Sequence, residues 1–209
     1  MYCMRLLTSL STALLLGAWL CTLYAAPVAA QERVRAKVGI QLHSGEHTAA
    51  AKSTENVKQG DALRIYIVPE NDAYIYIVHN DGSAITLLNA QNASTKIAKG
   101  TQIVLPSPEK FYQIDGTSSQ EAITVLCSPT ELRDVMKLAS APKASPQHWL
   151  TLEQTLTDKS KIQLGQQADK PFQIAGNVRS IGTETFADTL PISSGNTLVV
   201  KKYVFQVQK

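Results

Sequence analysis

Two neighbouring stretches, ALRIYIVP at Ala62–Pro69 and AYIYIVHN at Ala73–Asn80, decide the fold class. Both are rich in isoleucine, valine and tyrosine, which favour pleated, half-buried strands. Only the polar residues 70–72 separate them, so the pattern predicts a β-hairpin. Asn80-Asp81-Gly82 follows and tolerates positive φ, which predicts a tight reversal into a short strand over residues 84–88. The segment is therefore predicted to form a meander of at least three strands.

The β pattern continues on both sides of this segment. Upstream, apolar and polar residues alternate over residues 33–42, which indicates a half-buried strand, whereas residues 44–59 lose that period and predict a surface loop. Downstream, short β-like runs recur over residues 102–105, 111–115 and 122–127, between proline and glycine turn signals.

Two further β-like runs, over residues 171–178 and 197–207, lie near the C-terminus. The second contains Lys201-Lys202, a pair that suits an exposed strand protected against edge-to-edge aggregation. Residues 197–207 are therefore predicted to form an edge strand.

Two helix-start signals interrupt the strands. Ser128-Pro129-Thr130-Glu131 combines a hydroxyl N-cap, a proline at the first helical position and a glutamate at the third, and predicts a helix over residues 129–139. Ser145-Pro146 opens a second helix, in which Trp149 and Leu156 share one face that should dock on the sheet. The sequence thus predicts a mainly β fold: an antiparallel β-sandwich or open barrel with an inserted pair of α-helices, at about residues 129–158.

The N-terminus is typical of a secretory signal peptide. A basic start, an apolar run densest over residues 13–24 and a small-residue end predict cleavage after Ala30. The alternatives are an uncleaved anchor, although the run is about 12 residues and a spanning helix needs roughly 20, and a lipid anchor on Cys21, although bulky residues precede it. We expect residues 1–30 to be removed, leaving residues 31–209 as a single soluble β-rich domain without a transmembrane helix, periplasmic or secreted.

Charge and cysteine content exclude some functions. The chain has 20 Lys and Arg against 17 Asp and Glu, and Arg5 is the only charged residue of the leader, so the remaining charges nearly balance. A chain with nearly balanced charge lacks the excess of basic residues that nucleic-acid binding needs, and we exclude nucleic acid as a partner. Cys3 and Cys21 leave with the leader, so Cys127 has no partner for a disulfide and stability must come from burial.

Few residues could carry catalysis. One hypothesis is a small thiol hydrolase with Cys127 as nucleophile and His79 as base, but Cys127 ends an apolar run, where a thiol is usually packed and inert. His43 and His47 have a spacing that would bind metal on a helix, yet Ser44-Gly45 between them predicts a loop. Phosphate-loop, nucleophile-elbow and zinc-protease motifs are absent from the sequence. We predict no catalytic residue, no metal site and no cofactor.

The predicted binding residues are Tyr66, Tyr74, Tyr76 and Asp81. Tyrosine offers a large, rigid contact area with a polar tip, which suits recognition of a protein or a sugar. In a hairpin with a three-residue loop Tyr66 would lie opposite Tyr76, whereas a four-residue loop would place it opposite Ile75. The alternative is a buried tyrosine layer beneath the helices.

A pattern of strand and turn signals connects the chain to a known family. The pattern consists of Gly60-Asp61-Ala62-Leu63, Tyr74-Ile75-Tyr76-Ile77, Asp81-Gly82-Ser83-Ala84-Ile85-Thr86-Leu87-Leu88, Gly100 with Leu105-Pro106, and Cys127-Ser128-Pro129. Over about residues 57–128 the chain resembles the bacterial family known as domain of unknown function 4384. The resemblance implies an accessory module, which in other members often lies beside a caspase-like peptidase or a protein kinase in envelope or signalling proteins. That family has no established catalytic residues, so none is carried over.

The leading hypothesis is a non-catalytic exported module of the bacterial envelope that binds a protein partner or a surface polymer. One alternative is the thiol hydrolase. The other is a structural subunit of an envelope assembly, whose strand over residues 197–207 would add to a partner's sheet.

Overall fold

The computed structural model describes residues 33–90, 95–140, 145–161 and 185–208. The strands are β1 (Val34–Ser44), β2 (His47–Ala50), β3 (Thr54–Lys58), β4 (Ala62–Pro69), β5 (Ala73–Asn80), β6 (Ile85–Leu87), β7 (Lys96–Ile97), β8 (Ile103–Leu105), β9 (Tyr112–Gln113), β10 (Gln120–Ser128), β11 (Ile192–Gly195) and β12 (Val199–Gln208). The helices are α1 (Arg133–Ser140), α2 (Pro146–Ser160) and α3 (Phe186–Thr189). The predicted signal peptide and the predicted strand over residues 171–178 lie outside the described residues.

The strands form two mostly antiparallel sheets that pack as a sandwich, which confirms the predicted fold class. The first sheet has the order β11-β1-β4-β8, with β2 paired to β1 and β9 to β4. The second has the order β3-β12-β10-β5-β6, with β7 paired to β5. Among the described strands, β3 and β12 make the parallel pair.

The bounds predicted for β4 and β5 are confirmed, but the hairpin between them is wrong. β4 pairs with β1 and β8 in the first sheet, and β5 pairs with β10 and β6 in the second. Residues 70–72 therefore cross from one sheet to the other, and the meander is reduced to the pair β5–β6. Strands with alternating apolar residues, such as those that contain Ile65 and Ile75, can bury these residues in two ways. The strands can face each other across a sandwich, or they can lie side by side in a hairpin. The alternation cannot distinguish the two arrangements.

The hydrophobic core lies between the sheets. Its fully buried members alternate along their strands, as expected when one face of each strand points inward. They include Val38 and Ile40 of β1, Ile65 and Ile67 of β4, Ile75 and Ile77 of β5, Val125 and Cys127 of β10, and Phe205 of β12.

Residues 44–59 form two strands rather than the predicted loop. All four residues of β2 are exposed, and it forms a hairpin with β1 in which Ser44 lies opposite His47. β3 buries only Val57 and pairs with the C-terminal half of β12. Strands that bury so little apolar surface leave no period in the sequence, because few of their side chains face the core.

The prediction of an edge strand over residues 197–207 is wrong for the C-terminal half of β12. Residues 204–206 pair with β10 on one side and with β3 on the other. The pairing with β3 does not extend to residues 199–203, which include Lys201-Lys202 and pair with β10. Lys202 also contacts an acidic partner on the helix above the sheet.

The inserted helices cover the outer face of the second sheet, where the face of α2 that carries Trp149 docks as predicted. Trp149 and Leu156 of α2 pack with Val135 of α1 against Tyr76 and other outward-facing apolar residues of that sheet. α2 begins at Pro146, as predicted, but α1 begins at Arg133.

The late start of α1 has a local cause. Ser128 is still part of β10, opposite Tyr74, so it is not available as a helix cap. Instead its hydroxyl accepts a hydrogen bond from the Thr130 amide, and the Leu132 amide donates to the Tyr76 hydroxyl at 2.8 Å. The chain needs residues 129–132 to leave the sheet before it can turn into a helix.

A buried carboxylate fixes α2 to the second sheet. Glu153 is 5% exposed; it accepts hydrogen bonds from the Thr124 hydroxyl of β10 and from Lys202 Nζ of β12, the latter at 2.6 Å. Lys137 and Asp134 of α1 provide a contrast, since both side chains are about 80% exposed and their charged atoms are 3.9 Å apart.

We predict that Lys202→Ala lowers the free energy of unfolding by about 1.5 to 3 kcal/mol, because it leaves the buried Glu153 carboxylate without its charged partner. The matched control Lys137→Ala, which removes a surface pair, should cost less than about 0.5 kcal/mol. Urea unfolding followed by Trp149 fluorescence measures both. Equal losses for the two variants would contradict a structural role for the buried pair.

The last helical turn covers the outer face of the first sheet, a contact that the sequence analysis did not foresee. Ala187 of α3 and Leu190 directly after it pack on Tyr66. Gly39 of β1 lies beneath Leu190, and a Cβ at Gly39 would be 2.2 Å from Leu190 Cδ2. A glycine is needed here because α3 lies so close to the sheet.

Gly39→Ala is expected to destabilise the fold by about 1 to 3 kcal/mol, because the added methyl group must push Leu190 out of its packed position. The control is the same substitution in a Leu190→Ala background, where the methyl group has room and the added cost should vanish. Urea unfolding of the four proteins in this cycle gives the coupling. A cost of Gly39→Ala that is the same in both backgrounds would show that Leu190 is not the obstacle.

Candidate ligand-binding site

A cavity of about 140 Å³ opens at one end of the sandwich, between the two sheets. Its apolar lining is contributed by Leu63 of β4, Ile123 of β10, Leu88 and Ile114. Its polar lining includes His79, Asp81, Tyr112, Asp115, Thr117 and Glu121. Concave sites with an apolar lining and a few convergent polar groups are the usual places where folded domains bind ligands.

The first rim loop is the reversal after β5. Asp81 Oδ1 accepts three hydrogen bonds, from the Ser83 amide at 2.7 Å, the Ser83 hydroxyl at 2.8 Å and the Ala84 amide at 2.7 Å. Gly82 between them has a φ of +84°, which a side chain would strain. The Asp-Gly pair read from the sequence as a turn signal therefore also fixes a carboxylate at the cavity.

The second rim loop has the same chemistry. Asp115 Oδ1 accepts hydrogen bonds from the Thr117 amide at 2.8 Å and the Thr117 hydroxyl at 2.7 Å, and Gly116 has a φ of +75°. The Ser118 hydroxyl donates to the backbone carbonyl of Asp81 at 2.7 Å. That bond ties the two rim loops together.

An imidazole and a carboxylate form the wall of the cavity on the second sheet. His79, the penultimate residue of β5, lies opposite Ile123 of β10, and Glu121 lies two residues before Ile123 on the same face of β10. His79 Nε2 is 3.1 Å from Glu121 Oε2, and both side chains are more than 70% buried.

The cavity carries negative charge. Desolvation would raise the pKa of Asp81, but the hydrogen bonds from Ser83 and Ala84 and the nearby His79 outweigh it and hold the pKa below its ordinary value. The two hydrogen bonds from Thr117 likewise lower the pKa of Asp115. Both carboxyl groups are therefore ionised at neutral pH. None of the residues that line the cavity is a lysine or an arginine.

Of the four predicted binding residues, only Asp81 lines the cavity. Tyr76 is fully buried and Tyr74 half-buried beneath the helices on the outer face of the second sheet. Tyr66 is 8% exposed and lies on the outer face of the first sheet, where its hydroxyl donates to Gln41 Oε1 at 3.2 Å. Both predicted hairpin registers for Tyr66 are wrong, because β4 does not pair with β5, and the three tyrosines form no common surface.

The structure does not bring Cys127 and His79 together. Cys127 lies opposite Ile75 and His79 opposite Ile123, so the two residues are four positions apart along the β5–β10 ladder, roughly 13 Å. Burial in the core raises the pKa of the Cys127 thiol to about 12. This geometry does not support the thiol-hydrolase hypothesis.

Several residues of the cavity were missed in the sequence analysis. Asp115-Gly116 is one of the turn signals between the short β-like runs at 111–115 and 122–127, and its likeness to Asp81-Gly82 is the signal that could have marked both as rim loops. No sequence pattern marked Tyr112 or Glu121 as residues of a binding site. They reach the site because β9 and β10 enter it from different sheets, which depends on pairings that the sequence does not reveal.

The part of the chain that the structure describes contains no group of histidine, cysteine, aspartate or glutamate residues suited to hold a metal ion. His43 pairs with Thr48 in the β1–β2 hairpin, and its ring packs edge-on against Phe111 with centroids 4.3 Å apart. Across residues 33–90, 95–140, 145–161 and 185–208, no helix is both long and apolar enough to cross a membrane.

Comparisons with known proteins found no match: no protein-family model, no curated protein and no solved structure is similar to the chain. The resemblance over about residues 57–128 therefore stays a prediction.

Cys127 should resist alkylation by iodoacetamide in the folded protein at pH 8, where a thiol with a pKa of about 12 is about one part in ten thousand thiolate. Full modification is expected once guanidinium unfolds the chain. A Gln147→Cys variant, which places a thiol at an exposed position on α2, is the positive control and should react in the native state. Mass spectrometry reads out both thiols, and native modification of Cys127 at the rate of the control would contradict its burial.

Proposed function

We propose that the protein is a non-catalytic exported module of the bacterial envelope that binds a protein partner, by accepting one side chain of that partner in the cavity at the end of the sandwich. The observation that carries this proposal is the convergence of Asp81, Asp115, His79 and Glu121 on one small cavity with an apolar floor.

The size of the cavity favours a side chain over a free metabolite. Pockets for drug-sized ligands usually have volumes of about 300 to 1,000 Å³. A volume of about 140 Å³ is smaller, which favours a single side chain over a drug-sized ligand. A protruding side chain anchored in such a pocket, surrounded by contacts between exposed loops, is a common mode of protein recognition.

The chemistry of the rim favours binding over catalysis. Asp81 and Asp115 each use one oxygen to hold a turn, so their carboxylates are fixed before a ligand arrives. Preorganised groups reduce the entropy cost of binding. The buried thiol of Cys127 lies away from the cavity and contributes no nucleophile to it.

Two features of the sequence support export and an envelope role: the predicted signal peptide over residues 1–30, and the resemblance to an accessory family of envelope proteins. The rival hypothesis of strand addition through residues 197–207 loses part of its basis, because β3 already pairs with residues 204–208 of β12. A surface polymer remains an outcome that the following experiment distinguishes.

We expect a photoreactive p-benzoylphenylalanine at Gln113, an exposed residue of the cavity lining, to cross-link to one recurrent envelope protein in living cells. The same probe at Gln147, an exposed glutamine on α2, is the control and should not capture that protein. Mass spectrometry of the cross-linked product identifies the partner. Equal capture by both probes, or capture by neither, would overturn the proposal, and in the second case a labelled glycan array would test for a polymer.

A further inference from the structure

We infer that the side chain accepted by the cavity is a lysine, whose aliphatic stem lies on the apolar floor and whose ammonium group contacts the carboxylates at the rim. This inference rests on the proposed function and adds the chemical class of the ligand.

The charge of the cavity selects a cation. Asp81, Asp115 and Glu121 lie on its wall and rim, and the lining supplies no lysine or arginine to neutralise them. His79 already contacts Glu121, so it offsets at most one of the three carboxylates. An anionic side chain would be repelled, and a neutral one would leave the carboxylates without a charged partner.

The floor selects an aliphatic stem. Leu63, Leu88, Ile114 and Ile123 present hydrocarbon surface below the polar rim. A lysine side chain has four methylene groups below its ammonium group and commonly buries that stem while the charge reaches a polar edge. A small inorganic cation would leave this hydrocarbon surface uncovered, and no group of residues suited to a metal ion was found in the described chain.

The geometry of the carboxylates favours an ammonium over a guanidinium group. Arginine pairs best with both oxygens of one carboxylate. At the rim, Oδ1 of Asp81 and of Asp115 is already taken by turn hydrogen bonds, and the described residues make no hydrogen bond to Oδ2 of either. Each carboxylate therefore offers one oxygen, a pattern that suits the three separate donors of an ammonium group.

The test uses small probes and the folded mature protein. n-Butylammonium represents the end of lysine, n-butylguanidinium carries the head group of arginine on the same four-carbon stem, and 1-butanol supplies that stem without charge. Methyl NMR signals of Leu63 and Ile123 report on occupancy of the cavity. We expect saturable shifts with n-butylammonium, and binding at least fivefold tighter than that of either other probe.

Variants that remove charge but keep the turns make the test specific. Asp81→Asn and Asp115→Asn each retain an Oδ1 acceptor for the turn hydrogen bonds, and each should weaken n-butylammonium about fivefold, as expected for losing one charge contact near a protein surface. Asp72→Asn is the matched control. Asp72 Oδ1 accepts the Lys99 amide at 2.8 Å just before β5 begins, at the opposite end of the strand from the cavity, so binding should not change.

Results that contradict the lysine assignment differ from results that contradict a protein partner. Equal affinity for 1-butanol, tighter binding of n-butylguanidinium, or no shift with any probe would each overturn the assignment of lysine, even if the Gln113 probe captures a partner. Saturable n-butylammonium binding without any capture by that probe would leave the cationic preference of the cavity in place and overturn the protein partner instead.

Discussion

Burial of both faces of β5 is the constraint on which the remaining structure depends. Its inward residues Ile75 and Ile77 fill the core between the sheets, and its outward residues Tyr76 and Val78 are equally buried. A sheet with one such strand requires a second apolar layer on its outer face, which α1 and α2 provide. The Tyr76 hydroxyl, buried at that boundary, is satisfied by the Leu132 amide, so a polar group of the strand also sets where the chain can begin α1.

Residues at the C-terminal end of β5 contribute to the candidate site. The β5–β10 ladder that aligns the core residues also sets His79 beside Glu121, and the turn that ends β5 fixes Asp81 at the rim. The ladder register places the side chains of the wall, and the side-chain hydrogen bonds of the turns place those of the rim. The site is thus a consequence of strand register, not of a local sequence motif.

Acidic groups in this protein lie in two different electrostatic environments. Glu153 is buried beside Thr124 and Lys202, so its charge is compensated within the fold and contributes to stability. Asp81 and Asp115 are fixed by neutral donors from their own turns and keep their charge facing the cavity. A charge that the fold positions but does not neutralise is available to a ligand, and this difference is the physical basis for assigning a cationic side chain to the cavity.

The sequence by itself determined the class of fold, the bounds of β4 and β5, the start of α2 and the two Asp-Gly turns, because each follows from local preferences: side-chain period, a proline at a helix start, and residues that tolerate positive φ. Only the tertiary structure decided that β4 and β5 belong to different sheets, that β3 pairs with the C-terminal half of β12, that the tyrosines are covered, and that Glu121 and Tyr112 reach the same cavity as Asp81. Those outcomes depend on which strands pair over long distances along the chain, and a period of two is the same for a strand at an edge, in an interior or across a sandwich.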